Sequence, residues 1–177
     1  MRTAAILPVK SFGDAKQRLG SLLGAGSRHA LAQAMFQDVL SSLRKVEGIE
    51  VVVVVASEPS VEFAAEEQVV LLEDEVRDGQ SAAAMTGIRW AVEAGFDRVL
   101  LVPGDCPALD PDEVDALLAH RTPVVIVADR HGTGTNALLL APPTVMEPSF
   151  GEGSFARHAS LARRAGAEPG VADIKTL

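Results

Sequence analysis

The spacing of apolar residues along this chain changes repeatedly between short continuous runs and a helical period. Apolar runs of four to eight residues are typical of strands that are buried on both faces of a sheet. The run at 49–56 contains five consecutive valines, which pack well on a pleated sheet and lose rotamer freedom in a helix. We predict strands at residues 3–9, 49–56, 68–72, 98–102, 123–128 and 136–140, and a final extended segment at 171–177.

Between these runs, apolar residues recur every three or four positions, as on one face of a helix. This pattern predicts helices at residues 27–46, 59–67, 81–94, 110–120 and 153–165, of which the one at 59–67 is the weakest. Ser27 is the predicted N-cap of the first helix. Its predicted apolar face consists of Leu31, Met35, Val39, Leu43 and Val46.

Local signals mark the ends of two further helices. Gly95 follows the alanine-rich helix at 81–94, in the position where glycine commonly ends a helix in the left-handed conformation. Asp110 precedes Pro111 and Glu113, which together predict an N-cap, a first-turn proline and an acid at the third helical position.

Strands and helices alternate almost throughout, which predicts an α/β fold with a mixed, mostly parallel sheet flanked by helices. A chain of 177 residues fits one domain, and we expect residues 1–177 to form it. Hydrophobic residues make up 47% of the chain and aromatic residues only 4%. The core is therefore expected to consist of small and branched aliphatic side chains.

The net charge of −8 argues against general binding to nucleic acid or to membrane surfaces, both of which need a basic footprint. The single cysteine, Cys106, excludes an internal disulfide and a cysteine zinc cluster. No apolar run approaches the roughly 20 residues of a transmembrane helix. The first residues lack the regions of a signal peptide, so we expect a cytoplasmic protein.

Three cations follow the first predicted strand. Lys10, Lys16 and Arg18, with Gly13 between them, suit a triphosphate by charge and by backbone donors. The motif is not a Walker loop, because no glycine-lysine-serine/threonine follows at the right spacing. The alternative is an exposed, solvated basic loop.

An aspartate follows the predicted strand at 98–102. Ligands of parallel sheets bind beyond the carboxyl ends of strands, so Asp105 is expected at the ligand edge. Magnesium is typically held by one or two protein carboxylates together with substrate phosphates. The alternative is a turn aspartate that bonds to its own backbone. Cys106 is interpreted as a small packed side chain rather than a nucleophile.

Two glycine-rich segments are the remaining candidates for ligand-binding sites. Residues 129–137 formally match a dinucleotide fingerprint, but a strand follows where that motif needs a helix, so we reject it. The segment is either a loop whose free amides and hydroxyls approach an anion, or a plain hairpin. Residues 150–154 open the last helix, where unpaired amides attract anions, with Ser154 as an ordinary N-cap in the alternative reading.

Other catalytic classes find little support. The chain has no nucleophile-elbow motif, no zincin histidine-glutamate pair and no tyrosine. Its histidines are scattered and are interpreted as structural or surface residues; they are His29, His120, His131 and His158.

Several short motifs occur in a fixed order: Leu7-Pro8-Val9-Lys10, Ala15-Lys16-Gln17-Arg18-Leu19, Gly104-Asp105-Cys106-Pro107-Ala108-Leu109, Asp129-Arg130 with Gly134-Thr135-Asn136, and Phe150-Gly151 with Ser154 and His158. Together they resemble the guanylyltransferases of deazaflavin coenzyme (F-420) biosynthesis. That family transfers GMP from GTP to 2-phospho-L-lactate, phosphoenolpyruvate or a related phospho-acid. The resemblance covers nearly the whole chain and implies a nucleotide-diphospho-sugar transferase fold, which is GT-A-like and Rossmann-like.

The resemblance implies roles by position. Lys10, Lys16 and Arg18 would bind the GTP phosphates and act in catalysis, and Asp105 and Asp173 would bind Mg²⁺. The phospho-acid pocket would consist of Thr135, Asn136, Gly151 and Ser154. Gly79 and Ser81 would lie at the nucleotide, although the family commonly shows Gly-Leu-Asn where this chain has Gly79-Gln80-Ser81. After Asp173 the family usually continues with Asp-Thr-Pro, whereas this chain has Ile174-Lys175-Thr176-Leu177.

The proposed chemistry needs GTP, a small phosphorylated acid and no histidine or cysteine base. Phosphoenolpyruvate is favoured over 2-phospho-L-lactate on overall resemblance alone. The alternatives are another nucleotidyltransferase of the same fold, of molybdopterin or sugar-phosphate type, and a non-catalytic nucleotide-binding domain. The sequence does not fix the oligomeric state, and a homodimer stays open.

Overall fold

The computed structural model describes residues 1–9, 24–56, 68–74 and 78–177. In these parts the chain forms one seven-stranded sheet with four helices. The strands are β1 (Thr3–Val9), β2 (Val51–Ala56), β3 (Val69–Glu73), β4 (Arg98–Leu101), β5 (Val124–Ala128), β6 (Thr135–Leu140) and β7 (Gly170–Ala172). The helices are α1 (Ala25–Leu43), α2 (Gly79–Glu93), α3 (Pro111–Leu118) and α4 (Ser154–Arg164). The helix predicted at 59–67 lies outside the described residues.

The strands lie in the order β3-β2-β1-β4-β6-β5-β7. Strand β6 is antiparallel to both of its neighbours, and every other pair is parallel. The mixed, mostly parallel sheet predicted from the sequence is therefore confirmed. Six strands end, and β6 begins, at one edge of the sheet, which we call the carboxyl rim.

The sheet is buried on both faces because its strands are apolar at consecutive positions. In β1, Ala5 and Leu7 belong to the cluster that contains α1 and α3, and Ala4 and Ile6 belong to the cluster that contains α2 and α4. All four side chains are completely buried. No helix in the described parts of the chain combines the length and apolar character of a membrane-spanning segment.

The start of α1 differs from the prediction. The helix begins at Ala25 with Gly24 as its N-cap, so Ser27 lies inside the first turn and is not the cap. The buried face of the helix is also rotated by about one residue relative to the predicted apolar face. Leu31 is 37% exposed and Met35 only half-buried. The buried residues are Ala32, Phe36, Val39, Leu40 and Leu43, because the large Phe36 ring takes the position against the sheet.

The other predicted helix signals hold. Gly95 has a φ of 74°, in the left-handed region where glycine is favoured, directly after α2. The Asp110 side chain accepts a hydrogen bond from the Asp112 amide, and Pro111 is the first residue of α3. Glu113 does not complete a capping box, because its carboxylate bonds to Thr176 instead.

Arg2 closes the end of the sheet opposite the carboxyl rim. Its guanidinium pairs with the Glu50 carboxylate at 2.7 Å and lies 4.4 Å from the centre of the Phe96 ring. Phe96 in turn contacts Trp90 near the end of α2, with ring centres 5.7 Å apart. This end of the molecule is therefore held by packing and ion pairing.

The contact between α2 and β1 predicts a sensitive position. A β-carbon at Gly87 would lie 2.5 Å from Cγ2 of Ile6, closer than side chains approach one another. Gly87→Ala should therefore lower the free energy of unfolding by about 1–3 kcal/mol, measured by urea denaturation. The added methyl should cost less in an Ile6→Ala background, which lacks the clashing atoms. An equal penalty in both backgrounds would contradict a clash between these two residues.

Candidate functional site

At the carboxyl rim, the directions of the strands bring several loops to the same edge of the sheet. Because β6 alone is reversed, the end of β1, the segments after β4 and β7, the β5–β6 loop and the start of β6 all lie at this edge. Ligands of open α/β sheets bind at such an edge, since the strands themselves are fully packed. The rim therefore contains most of the residues selected from the sequence.

Asp105 lies in the turn after β4, next to the end of β1. Val102 donates its amide hydrogen to the Ile6 carbonyl at 3.0 Å, which continues the pairing of the two strands beyond β4. A β-carbon at Gly104 would lie 3.9 Å from the Pro8 carbonyl oxygen. The exposed Asp105 thus follows a turn that touches the strand leading to Lys10. Lys10, Lys16 and Arg18 themselves lie outside the described residues.

Asp173 follows β7, three strand positions away from β4. That separation corresponds to roughly 14 Å across the sheet. The chain after Asp173 returns towards α3, where the Thr176 hydroxyl donates to Glu113 Oε2 at 2.6 Å. The same hydroxyl accepts from the Asp110 amide at 3.1 Å. This Thr176 contact anchors the tail that carries Asp173 to the helix that follows the Asp105 turn.

The Thr176 contact also changes the electrostatics of α3. Hydrogen bonds hold the pKa of Glu113 below its ordinary value. The largest effect comes from the Thr176 hydroxyl, and smaller effects come from the amides of Thr176 and Lys175. An open cavity of about 380 Å³ lies beside the tail. Asp129, Arg130, Asp173 and Lys175 supply its charged groups. The volume is within the range of small-molecule sites.

Asp129 organises the β5–β6 loop. Its Oδ1 accepts hydrogen bonds from the His131 and Thr133 amides at 3.1 and 2.9 Å. Backbone hydrogen bonds from Gly134, Thr133 and His131 hold the pKa of this carboxyl below 3.8. A β-carbon at Gly134 would lie 2.7 Å from Asp129 Oδ2, so glycine is needed there. The segment is therefore a hairpin whose amides at His131 and Thr133 are occupied, which corrects the expectation of free amides in this loop.

Thr135 and Asn136 begin β6 beside an irregularity in the sheet. Ala128 pairs with Thr135 and Val127 pairs with Ala137, so Asn136 is an extra residue in its strand. Bulges of this kind interrupt the alternation of side chains and are frequent next to active sites. The Thr135 Oγ1 atom lies 2.9 Å from Nδ1 of His158 in α4.

The start of α4 carries the other predicted acceptor residues. Ser154 is 1% exposed and is the first helical residue, while Gly153, with a φ of 69°, is the N-cap. The reading of Ser154 as an ordinary N-cap is therefore wrong. The Phe155 amide donates to the Thr133 carbonyl at 3.1 Å, which joins this helix start to the β5–β6 loop. Gly151 is exposed with a φ of 109°.

Three side chains hold the loop at residues 149–153. Arg157 donates to the carbonyl oxygens of Ser149, Phe150 and Glu152. The Ser149 amide donates to His158 Nε2 at 2.8 Å, and the Phe150 amide donates to Ser81 Oγ at 2.9 Å. Ser81, predicted at the nucleotide, thus bonds to the segment predicted at the acceptor. Gly79, the first residue of α2, is exposed nearby in sequence.

Asp105 and Asp173 supply the oxygen type that a hard cation prefers, but the strands that lead to them, β4 and β7, lie roughly 14 Å apart across the sheet. The described residues contain no group of three or more histidine, cysteine or acidic side chains that could hold a metal. Magnesium needs only one or two protein carboxylates when substrate phosphates complete its shell. Asp105 and Asp173 are both exposed at the rim. The Asp129 Oδ1 atom accepts hydrogen bonds from two backbone amides.

Residues 3–174 match the family described as "Guanylyl transferase CofC like". The chain belongs to this family. It is 48% identical to a phosphoenolpyruvate guanylyltransferase of Conexibacter woesei, over 100% of this chain and 82% of the relative. It is also 35% identical to a 2-phospho-L-lactate guanylyltransferase of Methanothermobacter thermautotrophicus, over 98% of this chain and 77% of the relative. The expected family and enzyme class are confirmed.

Solved structures agree on the fold. A protein of Desulfovibrio desulfuricans, provisionally named a nucleotide-diphospho-sugar transferase, is similar with a TM-score of 0.80 and 19% identity, over 98% of this chain and 80% of that one. A nucleotidyl transferase of Methanothermobacter has a TM-score of 0.67 and 20% identity, over 98% and 88% of the two chains. At these identities the likeness confirms the fold alone.

Sequence reasoning missed three groups in this family member. Glu113 and His158 bond to residues far away in the chain, whereas Asp129 bonds to the amides of its own loop. Besides its place in the family motif, the sequence signal for His158 is its position four residues after Ser154, which places both on one helical face. Both are buried in the structure.

The Asp129 carboxylate predicts a dependence of stability on pH. Because its pKa is lowered in the folded state, its contribution is fully present above 3.8 and is lost as the pH falls through the lower folded value. Asp129→Asn should therefore unfold at lower urea concentration than the wild type at pH 7, with a smaller difference at pH 3. A difference that stays constant between these pH values would contradict the proposed role of the charge.

The Thr176 contact predicts the behaviour of the tail. Thr176→Val keeps the shape of the side chain but removes the hydroxyl that joins Asp110 and Glu113. Amide hydrogen exchange at residues 173–177, measured by mass spectrometry, should become at least several-fold faster because these bonds protect the tail. Thr144→Val, in an exposed loop, is the matched control. Equal exchange of the tail in the wild type and Thr176→Val would disprove the anchoring.

Proposed function

We propose that this protein transfers GMP from GTP to phosphoenolpyruvate with release of pyrophosphate, as a step of coenzyme F-420 biosynthesis in the cytoplasm. The named relatives support this proposal, since 48% identity extends over the whole chain to a phosphoenolpyruvate guanylyltransferase. The observation that carries it is the meeting of the Asp105 turn, the tail after β7 and the start of α4 at one rim. 2-Phospho-L-lactate is the second acceptor, favoured by the relative from Methanothermobacter.

The nucleotide is assigned to the side of the rim where β1 ends. Lys10, Lys16 and Arg18 are proposed to bind the triphosphate, because fixed cations neutralise the charge of the departing pyrophosphate. Gly79 and Ser81, at the start of α2, are proposed to lie at the nucleotide. The Ser81 Oγ accepts from Phe150, so its own hydrogen is available to a ligand oxygen.

The metal site is assigned to Asp105 and Asp173, which would hold Mg²⁺. When bound, the ion supplies positive charge against which the phosphate oxygens are aligned. The Thr176 contact ties the tail after Asp173 to the start of α3, which follows the Asp105 turn, and direct binding by both carboxylates would need the two segments to bridge the roughly 14 Å between β4 and β7.

The acceptor is assigned to Thr135, Asn136, Gly151 and Ser154. Thr135 and Asn136 begin β6 at the bulge, and Ser154 begins α4, where the helix dipole favours an anion. The amides of Ser154 and Phe155 themselves donate to the carbonyls of Gly151 and Thr133. The Phe155–Thr133 hydrogen bond brings these two segments together. A phosphorylated acid carries two anionic groups, which suits a pocket between two sets of donors.

The reaction needs no general base. The phosphate of the acceptor has a second pKa of about 6 and is mostly ionised at neutral pH. One of its oxygens would attack the α-phosphorus of GTP, and the bond from that phosphorus to the bridging oxygen of pyrophosphate would break. The obstacle is repulsion between anions, which is addressed by positioning and fixed positive charge.

The proposal predicts a large effect at the metal site. Asp105→Asn should lower kcat by at least about a hundredfold, because a lost carboxylate ligand weakens transition-state charge stabilisation. The measurement is pyrophosphate release with GTP, magnesium and each phospho-acid in turn. Asp38→Asn, exposed on α1, is the matched control and should retain wild-type rates.

Two outcomes would count against the proposal. A near-normal rate for Asp105→Asn, with an unchanged unfolding midpoint, would remove that residue from the metal site. Absence of pyrophosphate release by the wild type with either phospho-acid would refute the assigned reaction.

A further inference from the structure

His158 lies in the interior between α4, the 149–153 loop and β6. Its side chain is completely buried, and both of its ring nitrogens have hydrogen-bond partners. Nε2 lies 2.8 Å from the Ser149 amide nitrogen, and Nδ1 lies 2.9 Å from Thr135 Oγ1. The Phe150 ring meets the imidazole edge to face at 5.2 Å. The imidazole therefore has a fixed position and a fixed orientation.

The two partners determine where the imidazole proton is. A backbone amide only donates, so Nε2 must accept and carries no hydrogen. A neutral imidazole has one N–H group, which is therefore on Nδ1 and donates to Thr135 Oγ1. A doubly protonated ring would set two donors against each other at Nε2.

Burial independently favours the neutral ring, which the assignment of the proton assumes. Removal from water, with a smaller contribution from the Arg157 charge, lowers the pKa of His158 to about 4. The ring is thus neutral at physiological pH. Of the groups that face it, Arg157 on its own helix is charged, while Thr135 from β6 and Ser149 and Phe150 from the loop are uncharged.

The direction of the hydrogen bond between His158 Nδ1 and Thr135 Oγ1 determines which role is left to the Thr135 hydroxyl. A threonine hydroxyl ordinarily either donates or accepts. Here one of its lone pairs accepts from Nδ1–H, and its own hydrogen points elsewhere. In the described part of the chain, His158 is the only side chain bonded to this hydroxyl. Phosphate and carboxylate oxygens of an ionised ligand only accept, so they match it.

We propose that His158 is a positioning residue which, as the Nδ1–H tautomer, makes the Thr135 hydroxyl a dedicated hydrogen-bond donor to an anionic oxygen of the acceptor substrate. The identity of that substrate rests on the proposed function. The same ring also holds the Ser149 amide, so one side chain sets both the hydroxyl of β6 and the loop that carries Gly151.

Two substitutions of His158 separate its two hydrogen bonds. Glutamine places an amide near the Nε2 position and asparagine places one near the Nδ1 position. His158→Gln retains an acceptor for the Ser149 amide and loses the donor to Thr135. Its KM for the phospho-acid should rise about tenfold to a hundredfold, as for a lost hydrogen bond to a charged group, with the KM for GTP nearly unchanged. His158→Asn, which retains the donor, should show the smaller rise.

Two further variants complete this set of substitutions, one at Thr135 and one at the exposed His120. Thr135→Val should raise the KM for the phospho-acid as much as His158→Gln does, and the double variant should be no worse than Thr135→Val alone. His120→Gln, on the surface after α3, is the control and should leave both KM values unchanged. Additive effects in the double variant, or equal rises in the KM for GTP and for the phospho-acid, would overturn the proposal.

The tautomer is tested without turnover by ¹⁵N NMR of the imidazole nitrogens, with His158→Asn to identify the resonance. The expected signal is that of a neutral Nδ1–H ring that does not titrate between pH 8 and pH 5.5. A proton on Nε2, or titration near pH 6.5, would overturn the proposal. If the wild type uses neither phospho-acid, the assigned function fails, while the NMR signal still upholds or overturns the donor assignment of Thr135.

Discussion

Burial of the sheet on both faces is the constraint on which the rest of this structure depends. The side chains of β1, β2 and β4 at consecutive positions are buried in two apolar clusters, so no reactive group has room within the sheet. Polar chemistry is confined to the edges. The reversed direction of β6 then matters, because it puts the beginning of a strand at the edge where the other six strands end. Thr135 and Asn136 would otherwise lie at the opposite end.

The strands were predictable because a run of valine and leucine is a local signal. The N-cap at Asp110 and the left-handed Gly95 were predictable for the same reason. The predicted apolar face of α1 differs from the buried face by about one residue. Several apolar residues of this helix could pack against the sheet, and only packing decides that Phe36 does so. The hydrogen bonds of carbonyl and carboxylate groups at the rim could not be predicted from local signals of this kind.

The contacts that shape the candidate site join residues far apart in the chain. Thr135 and His158 are 23 positions apart, and Glu113 and Thr176 are 63 apart. No spacing rule connects such pairs. Family resemblance pointed to Thr135, Ser154 and Asp173 by position, but it did not reveal that His158 orients one of them. It also did not reveal that Asp129 occupies loop amides.

An acidic chain that handles anionic substrates must manage its own charge at the rim. Asp110, Glu113 and Asp129 each accept hydrogen bonds from backbone amides, which spreads their charge over local dipoles. Arg157 bonds to three carbonyl oxygens of the 149–153 loop, which places a positive charge beside the proposed acceptor pocket. The net charge of −8 therefore gives a poor picture of the potential that a phospho-acid would meet.

The aromatic contact at the far end of α2 has a practical consequence for spectroscopy. Trp90 is the single tryptophan of the chain and packs against Phe96, about nine residues of helix away from Ser81. That length of helix corresponds to roughly 14 Å. Intrinsic fluorescence therefore comes from one indole outside the carboxyl rim. Its emission is therefore expected to report loss of the native fold without direct contact quenching by a nucleotide bound at the carboxyl rim, where the proposed site lies.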